Sequence, residues 1–263
     1  MDRRQVWRRI RRVWIALGLS ATVVFVGWSL IAYRASATAK LAIQSNAAVT
    51  VEHRDGIWFF VPKQPQEPGR PALVFFPGAL VDPIAYAPLL RAAATAGFPA
   101  YLLELPRRGA FGGADDPEVE RRFDRLLGAA NTPRTWVIAG HSRGAVVASA
   151  LASQHRMGFA GLVLIGSSHP RDVDLSAVRI AVTKVVGTRD GLASPEEVEA
   201  NRGKLPAHTR WVWIQGGNHS QFGWYGFQPG DHRATIGAKV QRTLMTDAVL
   251  DVLRKAAAGA PAS

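Results

Sequence analysis

The feature that most constrains the fold of this chain is a regular alternation of short apolar runs with segments of helical pattern, from residue 49 onward. The runs are rich in β-branched and aromatic residues, which favours strands. The predicted strands cover residues 49–54, 57–61, 72–76, 100–105, 136–139, 161–165, 181–186 and 210–214. Strands that alternate with helices favour a mostly parallel sheet covered on both faces. The sequence therefore predicts an eight-stranded open α/β sandwich.

The first two predicted strands form an exception to this alternation, because only the dipeptide Asp55-Gly56 separates them. Such a dipeptide is typical of a two-residue hairpin turn, so the first pair is expected to be antiparallel. The predicted helices cover residues 84–96, 118–127, 145–154, 195–202 and 236–255.

The N-terminal segment combines a basic start with a long uncharged run. Six arginines lie within residues 1–12, and residues 13–33 carry no charge. A helix of that length spans about 31 Å, close to the thickness of a bilayer core. Trp14 and Tyr33 lie near its ends, where aromatic rings favour the headgroup region. The segment is predicted as a single-pass anchor in the cytoplasmic membrane, with the arginines in the cytoplasm and the following domain outside.

A cleavable signal peptide is the alternative, because Ala35, Ala37 and Ala39 offer the small residues that a signal peptidase reads. The apolar region of a signal peptide is expected to be about 7–15 residues long, shorter than this one. A retained anchor is therefore preferred. The predicted boundaries are a basic cytoplasmic segment 1–12, an anchor 13–33, a linker 34–48, an α/β domain 49–257 and a tail 258–263.

The composition excludes several functional classes. The formal net charge is +12, but much of it comes from the arginines of the first twelve residues. The sequence has no basic stripe with interleaved aromatic residues and no zinc-finger or RNA-recognition motif, so a nucleic-acid partner is not expected. It also has no cysteine, which excludes disulfides, thiolate nucleophiles and cysteine-based zinc sites.

One serine carries a specific signal for chemistry. Ser142 stands in the order Gly140-x-Ser-x-Gly144, directly after the apolar run TWVIA and before a helical segment. A sharp turn of this kind between a strand and a helix projects the serine hydroxyl above the sheet. Ser142 is therefore predicted to be a nucleophile, with a plain turn residue as the alternative.

A serine hydroxyl needs a base to remove its proton and an acid to orient that base. Asp190 follows the seventh predicted strand in GTRDGLA, and His219 follows the eighth in QGGNHSQFG. The chain order serine, acid, histidine is the one that this fold requires. Glu104, at the end of the fourth predicted strand, is the alternative acid.

Hydrolysis through a tetrahedral intermediate also requires two N–H donors for the oxyanion. The predicted donors are Arg143, directly after the nucleophile, and Ala79 in the loop FFPGALVDP. The Arg143 guanidinium is also a candidate substrate-binding group for a carboxylate or phosphate, with an ion pair to a nearby acid as the alternative. Trp224 and Tyr225 are candidate substrate-pocket walls, with packing under a long loop as the alternative.

With these residues assembled, the chain from about residue 49 to 255 resembles the α/β-hydrolase fold family. The motifs PGALVDPIAYAPLL, AGHSRGA, GTRDGLA and GGNHSQFGWYGFQPGD together resemble the membrane-anchored α/β hydrolase fold-5 group, which is related in shape to dienelactone hydrolases. The resemblance implies a hydrolase with the triad Ser142, Asp190 and His219, without metal or cofactor. It implies no particular substrate.

Two departures from the family pattern limit what is carried over. Dienelactone hydrolases use a cysteine nucleophile, which is absent here, and Ala145 replaces the usual second glycine. The short segment of residues 168–177 lies between the sixth predicted strand and the seventh, where lipases usually insert a lid. A minimal lid and an open pocket for small or extended soluble acyl groups are therefore expected.

The leading functional hypothesis is an esterase-like serine hydrolase that cleaves an ester, thioester or small amide of a small-molecule acyl substrate. A hydrolase-fold scaffold that binds a partner without catalysis is one alternative. A perhydrolase or haloperoxidase-type activity on the same triad is another. The complete set of serine, acid and histidine favours an enzyme over a scaffold.

Overall fold

A computed structural model describes residues 3–64, 69–129, 133, 135–154 and 158–259, and an eight-stranded sheet forms its centre. The strands are β1 (Val49–Arg54), β2 (Ile57–Pro62), β3 (Ala72–Phe76), β4 (Ala100–Leu103), β5 (Trp136–His141), β6 (Phe159–Ile165), β7 (Ala181–Gly187) and β8 (Arg210–Ile214). Their order across the sheet is β1-β2-β4-β3-β5-β6-β7-β8. Strand β2 is antiparallel to β1 and β4, and the remaining neighbours are parallel. The predicted sheet is confirmed.

The last five of the seven α-helices in the described residues follow the predicted helical segments within a few residues, whereas the second lies in the segment predicted as a linker. They are α1 (Arg3–Ala32), α2 (Ala37–Ala42), α3 (Ala87–Thr95), α4 (Pro117–Gly128), α5 (Arg143–Ser153), α6 (Pro195–Ala200) and α7 (Ala238–Ala257). The segment predicted at 84–96 begins with a 3-10 turn, Pro83–Tyr86, before α3 starts. Asp82 initiates that turn, because its carboxylate accepts a hydrogen bond from the N–H of Ile84.

The sheet is covered on both faces. Helices α3 and α7 pack on one face, where Leu89 and Val249 are among the buried side chains. Helices α4 and α5 pack on the other face, where Phe123 and Leu151 are buried. The central strand β3 therefore exposes none of its side chains, and its residues read as a continuous apolar run.

The segment predicted as a linker contains a packed helix. Ser36 caps helix α2, and its hydroxyl accepts a hydrogen bond from the N–H of Ala39 at 3.4 Å. Ala39 is completely buried, and Ala35 and Ala42 are nearly so. Small side chains let this helix approach α3 closely, so the alanines serve packing rather than flexibility.

Helix α1 projects away from the rest of the chain. Ser29 is the one buried residue within it, and its large apolar side chains are mostly exposed. The helix is long and apolar enough to cross a membrane or to act as a signal sequence. The predicted uncharged segment 13–33 lies within it, except for its last residue.

Between β6 and β7 the chain forms only turns and irregular structure, over residues 166–180. Leu175 and Val178 anchor this stretch in the core beneath it. A large lid is therefore absent from this fully described stretch, and the carboxyl edge of the sheet stays accessible there.

Candidate active site

The predicted nucleophile lies at the turn between the central strand β5 and helix α5. Ser142 is the N-terminal cap of α5 and has φ 53° and ψ −118°. A serine in this conformation is strained, because its Cβ is crowded by the neighbouring backbone. The surrounding structure must therefore impose the conformation.

Two glycines make this turn possible. A Cβ on Gly140 would lie 2.2 Å from the carbonyl oxygen of Gly144, and a Cβ on Gly144 would lie 2.0 Å from the carbonyl oxygen of Phe76. Both distances are far inside van der Waals contact, so a larger residue at either position would push β5, α5 and β3 apart. The glycine pattern seen in the sequence therefore has a steric cause at both positions.

Asp190 and His219 form a buried pair at the same edge of the sheet. The Nδ1 of His219 lies 2.9 Å from Oδ2 and 3.1 Å from Oδ1 of Asp190, and each residue is 1% exposed. The N–H groups of Leu192 and Ala193 also donate to Oδ1 of Asp190, which fixes the carboxylate. The Nε2 of His219 has no hydrogen-bond partner among the described residues. An imidazole held in this way has one nitrogen oriented by a carboxylate and the other available for proton transfer.

Asp231 connects the loops that carry this pair, and it was not among the predicted site residues. Its carboxylate accepts hydrogen bonds from the N–H of Gly191 in the acid loop and from the N–H groups of His219 and Ser220 in the histidine loop. The Ser220 hydroxyl donates to it as well, at 2.6 Å. Asp231 follows Pro-Gly and reads locally as a turn residue. No local pattern distinguishes it from an ordinary turn aspartate.

The loop after β3 lies against the nucleophile turn. A Cβ on Gly78 would lie 3.5 Å from the Cβ of Ser142, so the backbone approaches the serine closely. Within the described residues, the N–H of Ala79 makes no backbone hydrogen bond. Arg143, the other predicted oxyanion donor, is the first residue of helix α5. The loop is held by the N–H of Leu80, which donates to the carbonyl of Arg108 at 2.8 Å.

His141, next to the nucleophile, packs under the site. Its Nδ1 shares a 2.7 Å hydrogen bond with the hydroxyl of Tyr86, and its ring centroid lies 4.5 Å from that of His219. Burial holds the pKa of His141 well below its usual value, and the nearby His219 lowers it further. The His141 ring is therefore neutral, so it packs against the ring of His219 without placing a positive charge beside it.

The side chain of Arg143 is engaged in an ion pair. Its guanidinium donates to the carboxylate of Asp115 at 2.6 Å, and both side chains are substantially exposed. The structure thus realises the predicted alternative of an ion pair with a nearby acid. A role for this guanidinium in substrate binding stays a prediction.

Trp224 and Tyr225 make packing contacts, which the sequence analysis gave as the alternative to pocket walls, and a role in a substrate pocket stays a prediction. The Tyr225 ring is buried between Tyr33 and Tyr86, at centroid distances of 6.0 Å and 6.4 Å. The Trp224 ring lies beneath the guanidinium of Arg242 at 4.9 Å. Long loops need apolar side chains to attach them to the core, and these two rings serve that purpose.

The alternative acid, Glu104, faces a different part of the molecule. Its carboxylate accepts a hydrogen bond from the indole of Trp58 at 2.8 Å and lies 3.3 Å from His53. Both partners belong to the β1–β2 hairpin, on the opposite side of the sheet order from β7 and β8. Glu104 therefore supports the hairpin and is not the partner of His219.

A buried lysine near the site is a second residue that was not predicted from the sequence. Lys184 lies on β7, is 1% exposed and donates to the carbonyl of His169. Burial lowers the pKa of Lys184 to about 7, although the nearby Asp190 carboxylate opposes part of that shift. A lysine within a strand-like run gives no sequence signal that it points into the core.

The described residues contain no group of three or more histidine, aspartate or glutamate side chains arranged to hold a metal ion. Within the described residues, the carboxyl edge of the sheet carries a strained serine and an imidazole oriented by a carboxylate. These groups are suited to acyl transfer to a serine.

Comparisons with known proteins agree with this architecture. Among solved structures, a ferulic acid esterase from Streptomyces cinnamoneus is similar with a TM-score of 0.61 and 16% identity, over 78% of this chain and 83% of that chain. A predicted CIB-like hydrolase from Thermoplasma acidophilum is similar with a TM-score of 0.58 and 15% identity, over 78% and 99% of the two chains. The esterase domain of a Rhodothermus marinus protein is similar with a TM-score of 0.54 and 12% identity, over 82% and 98%. At these identities the likeness concerns the fold.

No curated protein matched the sequence. A family model described as the alpha/beta hydrolase family matches residues 72–243, which is more than half of the chain. The matched range includes β3 and its loop, the nucleophile turn, the acid loop and the histidine loop. The chain therefore belongs to the alpha/beta hydrolase family.

Proposed function

We propose that this protein is a serine hydrolase of carboxylesterase type, with Ser142 as nucleophile, His219 as general base and Asp190 as the acid that orients it. The observation that carries the proposal is the buried Asp190–His219 pair with its unpartnered Nε2. The pair lies at the sheet edge where Ser142 occupies its strained turn. The esterases among the similar structures support the same type of reaction at the level of the fold.

The reaction would follow from the roles of these groups. His219 accepts the proton of Ser142 while Oγ attacks the acyl carbonyl, and the N–H groups of Ala79 and Arg143 stabilise the resulting oxyanion. The protonated His219 then donates its proton to the leaving alcohol, thiol or amine, which departs and leaves an acyl-serine. Water, deprotonated by His219, attacks the acyl-serine and releases the acid, and the proton returns to Ser142.

We also infer that helix α1 holds the enzyme in the cytoplasmic membrane with the hydrolase domain on the outer side. The six arginines that precede the uncharged segment support this orientation, because basic residues are retained on the cytoplasmic side. Protease added to intact spheroplasts should digest the domain. Digestion only after lysis would contradict this orientation, and release of the domain into the periplasm would indicate a cleaved signal sequence.

The assignment of the acid can be tested with a matched pair of variants. Asp190→Asn should lower kcat for p-nitrophenyl butyrate about a thousandfold or more, because the imidazolium loses its orienting carboxylate. Glu104→Gln makes the same chemical change at the alternative acid and should alter kcat by less than about threefold, since Glu104 only braces the hairpin. Loss of activity in the Glu104 variant alone would overturn the assignment of Asp190.

A further inference from the structure

The end of helix α1 is bonded directly to the loop that carries the candidate base. The N–H of Gly226 donates to the carbonyl of Ala32 at 3.2 Å, and the N–H of Ser36 donates to the carbonyl of Trp224 at 2.8 Å. A Cβ on Gly226 would lie 2.5 Å from the same carbonyl of Ala32, so only glycine permits this approach. The last turn of the helix is therefore attached to the histidine loop without a flexible spacer.

The same segment is also bonded to the loop that carries a predicted oxyanion donor. The N–H of Asp82 donates to the carbonyl of Tyr33 at 3.0 Å, and the Asp82 carboxylate accepts from the N–H of Ala35 at 3.3 Å. Residues 32–36 thus bridge the two loops on either side of the site. Such a bridge fixes the position of the site relative to the helix end.

A series of aromatic contacts continues from the helix to the site. The ring of Tyr33 lies 5.8 Å from that of Trp28 and 6.0 Å from that of Tyr225. Tyr225 contacts Tyr86, which in turn shares a hydrogen bond with His141 directly under the candidate base. Three tyrosine rings, of Tyr33, Tyr225 and Tyr86, therefore connect Trp28 on the helix with His141 beside Ser142.

The remainder of α1 makes no comparable contact with the domain, and its apolar residues stay exposed. A helix that crosses a bilayer and ends in this rigid junction would hold the junction at the lipid surface. The loops bonded to the junction belong to the carboxyl edge of the sheet. That edge, with the candidate site, would consequently face the membrane.

The loops at this edge carry exposed apolar side chains. Phe111 in the loop after β4 is 68% exposed, Leu192 in the loop after β7 is 39% exposed, and Phe227 in the loop after β8 is 50% exposed. Exposed apolar residues on loops around one site are costly in water and favourable in the boundary region of a bilayer. We call these three residues the apolar rim.

We propose that the apolar rim rests on the lipid surface beside α1 and that the substrate is an acyl ester whose chain resides in that bilayer. This substrate class rests on the proposed serine-hydrolase function and narrows it. A bilayer-resident chain would enter the site from the lipid side, so a large lid would be unnecessary. The proposal replaces the sequence-based expectation of small, soluble acyl substrates.

The absence of cysteine from the natural sequence permits a clean test of the orientation. Phe111→Cys, Leu192→Cys and Phe227→Cys in the full chain would each carry one nitroxide label, in nanodiscs of phosphatidylcholine and phosphatidylglycerol. Val61→Cys is the matched control, because Val61 is also 39% exposed. It lies at the amino end of the parallel strands, away from the apolar rim at their carboxyl ends. The rim labels should collide with oxygen dissolved in lipid and be shielded from a water-soluble nickel complex. The control label should show the opposite preference.

Substrate preference provides the second measurement. In nanodiscs, hydrolysis of a p-nitrophenyl ester of a long acyl chain should depend on its mole fraction in the bilayer rather than on its bulk concentration. Phe111→Ser combined with Phe227→Ser should slow this reaction by about tenfold, because the rim loses its apolar contact with lipid. Val61→Ser should leave the rate unchanged.

Labelling of Ser142 by a fluorophosphonate separates the two proposals. If Ser142 reacts but the rim labels prefer water, or if the long-chain ester reacts independently of its mole fraction in the bilayer, the membrane-facing site is overturned and the hydrolase stands. If Ser142 fails to react in the unmodified protein, the proposed function itself is overturned. Lipid contact at the rim together with surface-dependent hydrolysis supports both.

Discussion

The two halves of the candidate site are held in place by different means. In the acid and histidine half, formed by the loops after β7 and β8, buried side chains make the connections, with Asp231 and Gln241 bonded to several backbone groups. In the nucleophile half, formed by the loops after β3, β4 and β5, the backbone itself is strained. Five of the six non-glycine residues with positive φ in the described part of the chain lie there: Leu80, Arg107, Arg108, Phe111 and Ser142.

The difference reflects what each half must position. The acid and histidine half holds a side-chain pair, and side-chain orientation is best fixed by hydrogen bonds to the surrounding backbone. The nucleophile half contains the predicted N–H donors and the Ser142 hydroxyl, so in the proposed function its backbone conformation positions the reacting groups. Polar substitutions should therefore damage the first half, and changes in backbone preference should alter the second.

Outside the proposed triad, the largest effect is expected at Asp231. Asp231→Asn places an amide NH₂ opposite N–H and O–H donors, so at least one hydrogen bond becomes a repulsive contact. We expect the free energy of unfolding to fall by about 2–3 kcal/mol, and esterase kcat to fall about a hundredfold as the histidine loop loosens. Denaturant unfolding and steady-state kinetics measure the two effects.

Asp174→Asn is the matched control, because Asp174 is an exposed turn aspartate that accepts one backbone hydrogen bond. It should change stability by less than about 0.5 kcal/mol. Equal effects of the two substitutions would show that Asp231 is an ordinary turn residue.

A smaller effect with a distinct pH dependence is expected at Lys184. The lowered pKa, about 7, means that the native state loses this proton well before the unfolded chain does. Burial of the lysine therefore lowers the free energy of unfolding by its full amount below pH 7. This destabilisation disappears as the pH rises to about 10.4. Lys184→Met should raise the free energy of unfolding by about 2 kcal/mol at pH 6, with a smaller gain at pH 9.5.

The exposed Lys239 provides the control for that comparison, and Lys239→Met should change stability little at either pH. Thermal melts at the two pH values measure both variants. A gain for Lys184→Met that is identical at pH 6 and pH 9.5 would contradict the assigned pKa shift.

Strain in the nucleophile half predicts an unusual stability order at Ser142. Glycine adopts its conformation without penalty, whereas alanine keeps the strain, so Ser142→Gly should be more stable than Ser142→Ala by about 1 kcal/mol. Ser149, inside helix α5, should show the reverse order by about 1 kcal/mol, because glycine is a poor helix residue. Unfolding curves of the four variants test this, and the same order at both positions would exclude strain at the nucleophile.

The smallest effect is expected for the exposed ion pair of Arg143 with Asp115. Arg143→Gln and Asp115→Asn, alone and together, should give a coupling energy below about 1 kcal/mol in a double-mutant cycle. KM for a neutral ester should change little. A large increase in KM for an anionic ester, seen with Arg143→Gln and not with Asp115→Asn, would instead assign the guanidinium to substrate binding.

The same contrast explains which features the sequence could predict. Strand positions follow from local apolar runs, and the turn at Ser142 follows from glycines whose steric role is local. Both features could therefore be predicted from the sequence. Chain order placed Asp190 and His219 on neighbouring loops, and the structure brings them into contact. Their catalytic roles stay predictions.

The features that escaped prediction depend on contacts between distant segments. Asp231 acquires its importance from loops that begin after two different strands, and Lys184 from burial beneath one of them. The packing of Tyr225 depends on Tyr33, which lies far from it in the sequence. The sequence around Tyr225 gives no local signal for a contact with a residue so distant in the chain.

The central claim, that Ser142 is an activated nucleophile, is tested most directly by covalent labelling. Diisopropyl fluorophosphate should react once per chain, and peptide mass mapping should place the adduct within the tryptic peptide of residues 135–143. Ser142→Ala should lose both the label and the esterase activity, whereas Ser149→Ala should keep both. Labelling at another serine, or full activity in Ser142→Ala, would contradict the account.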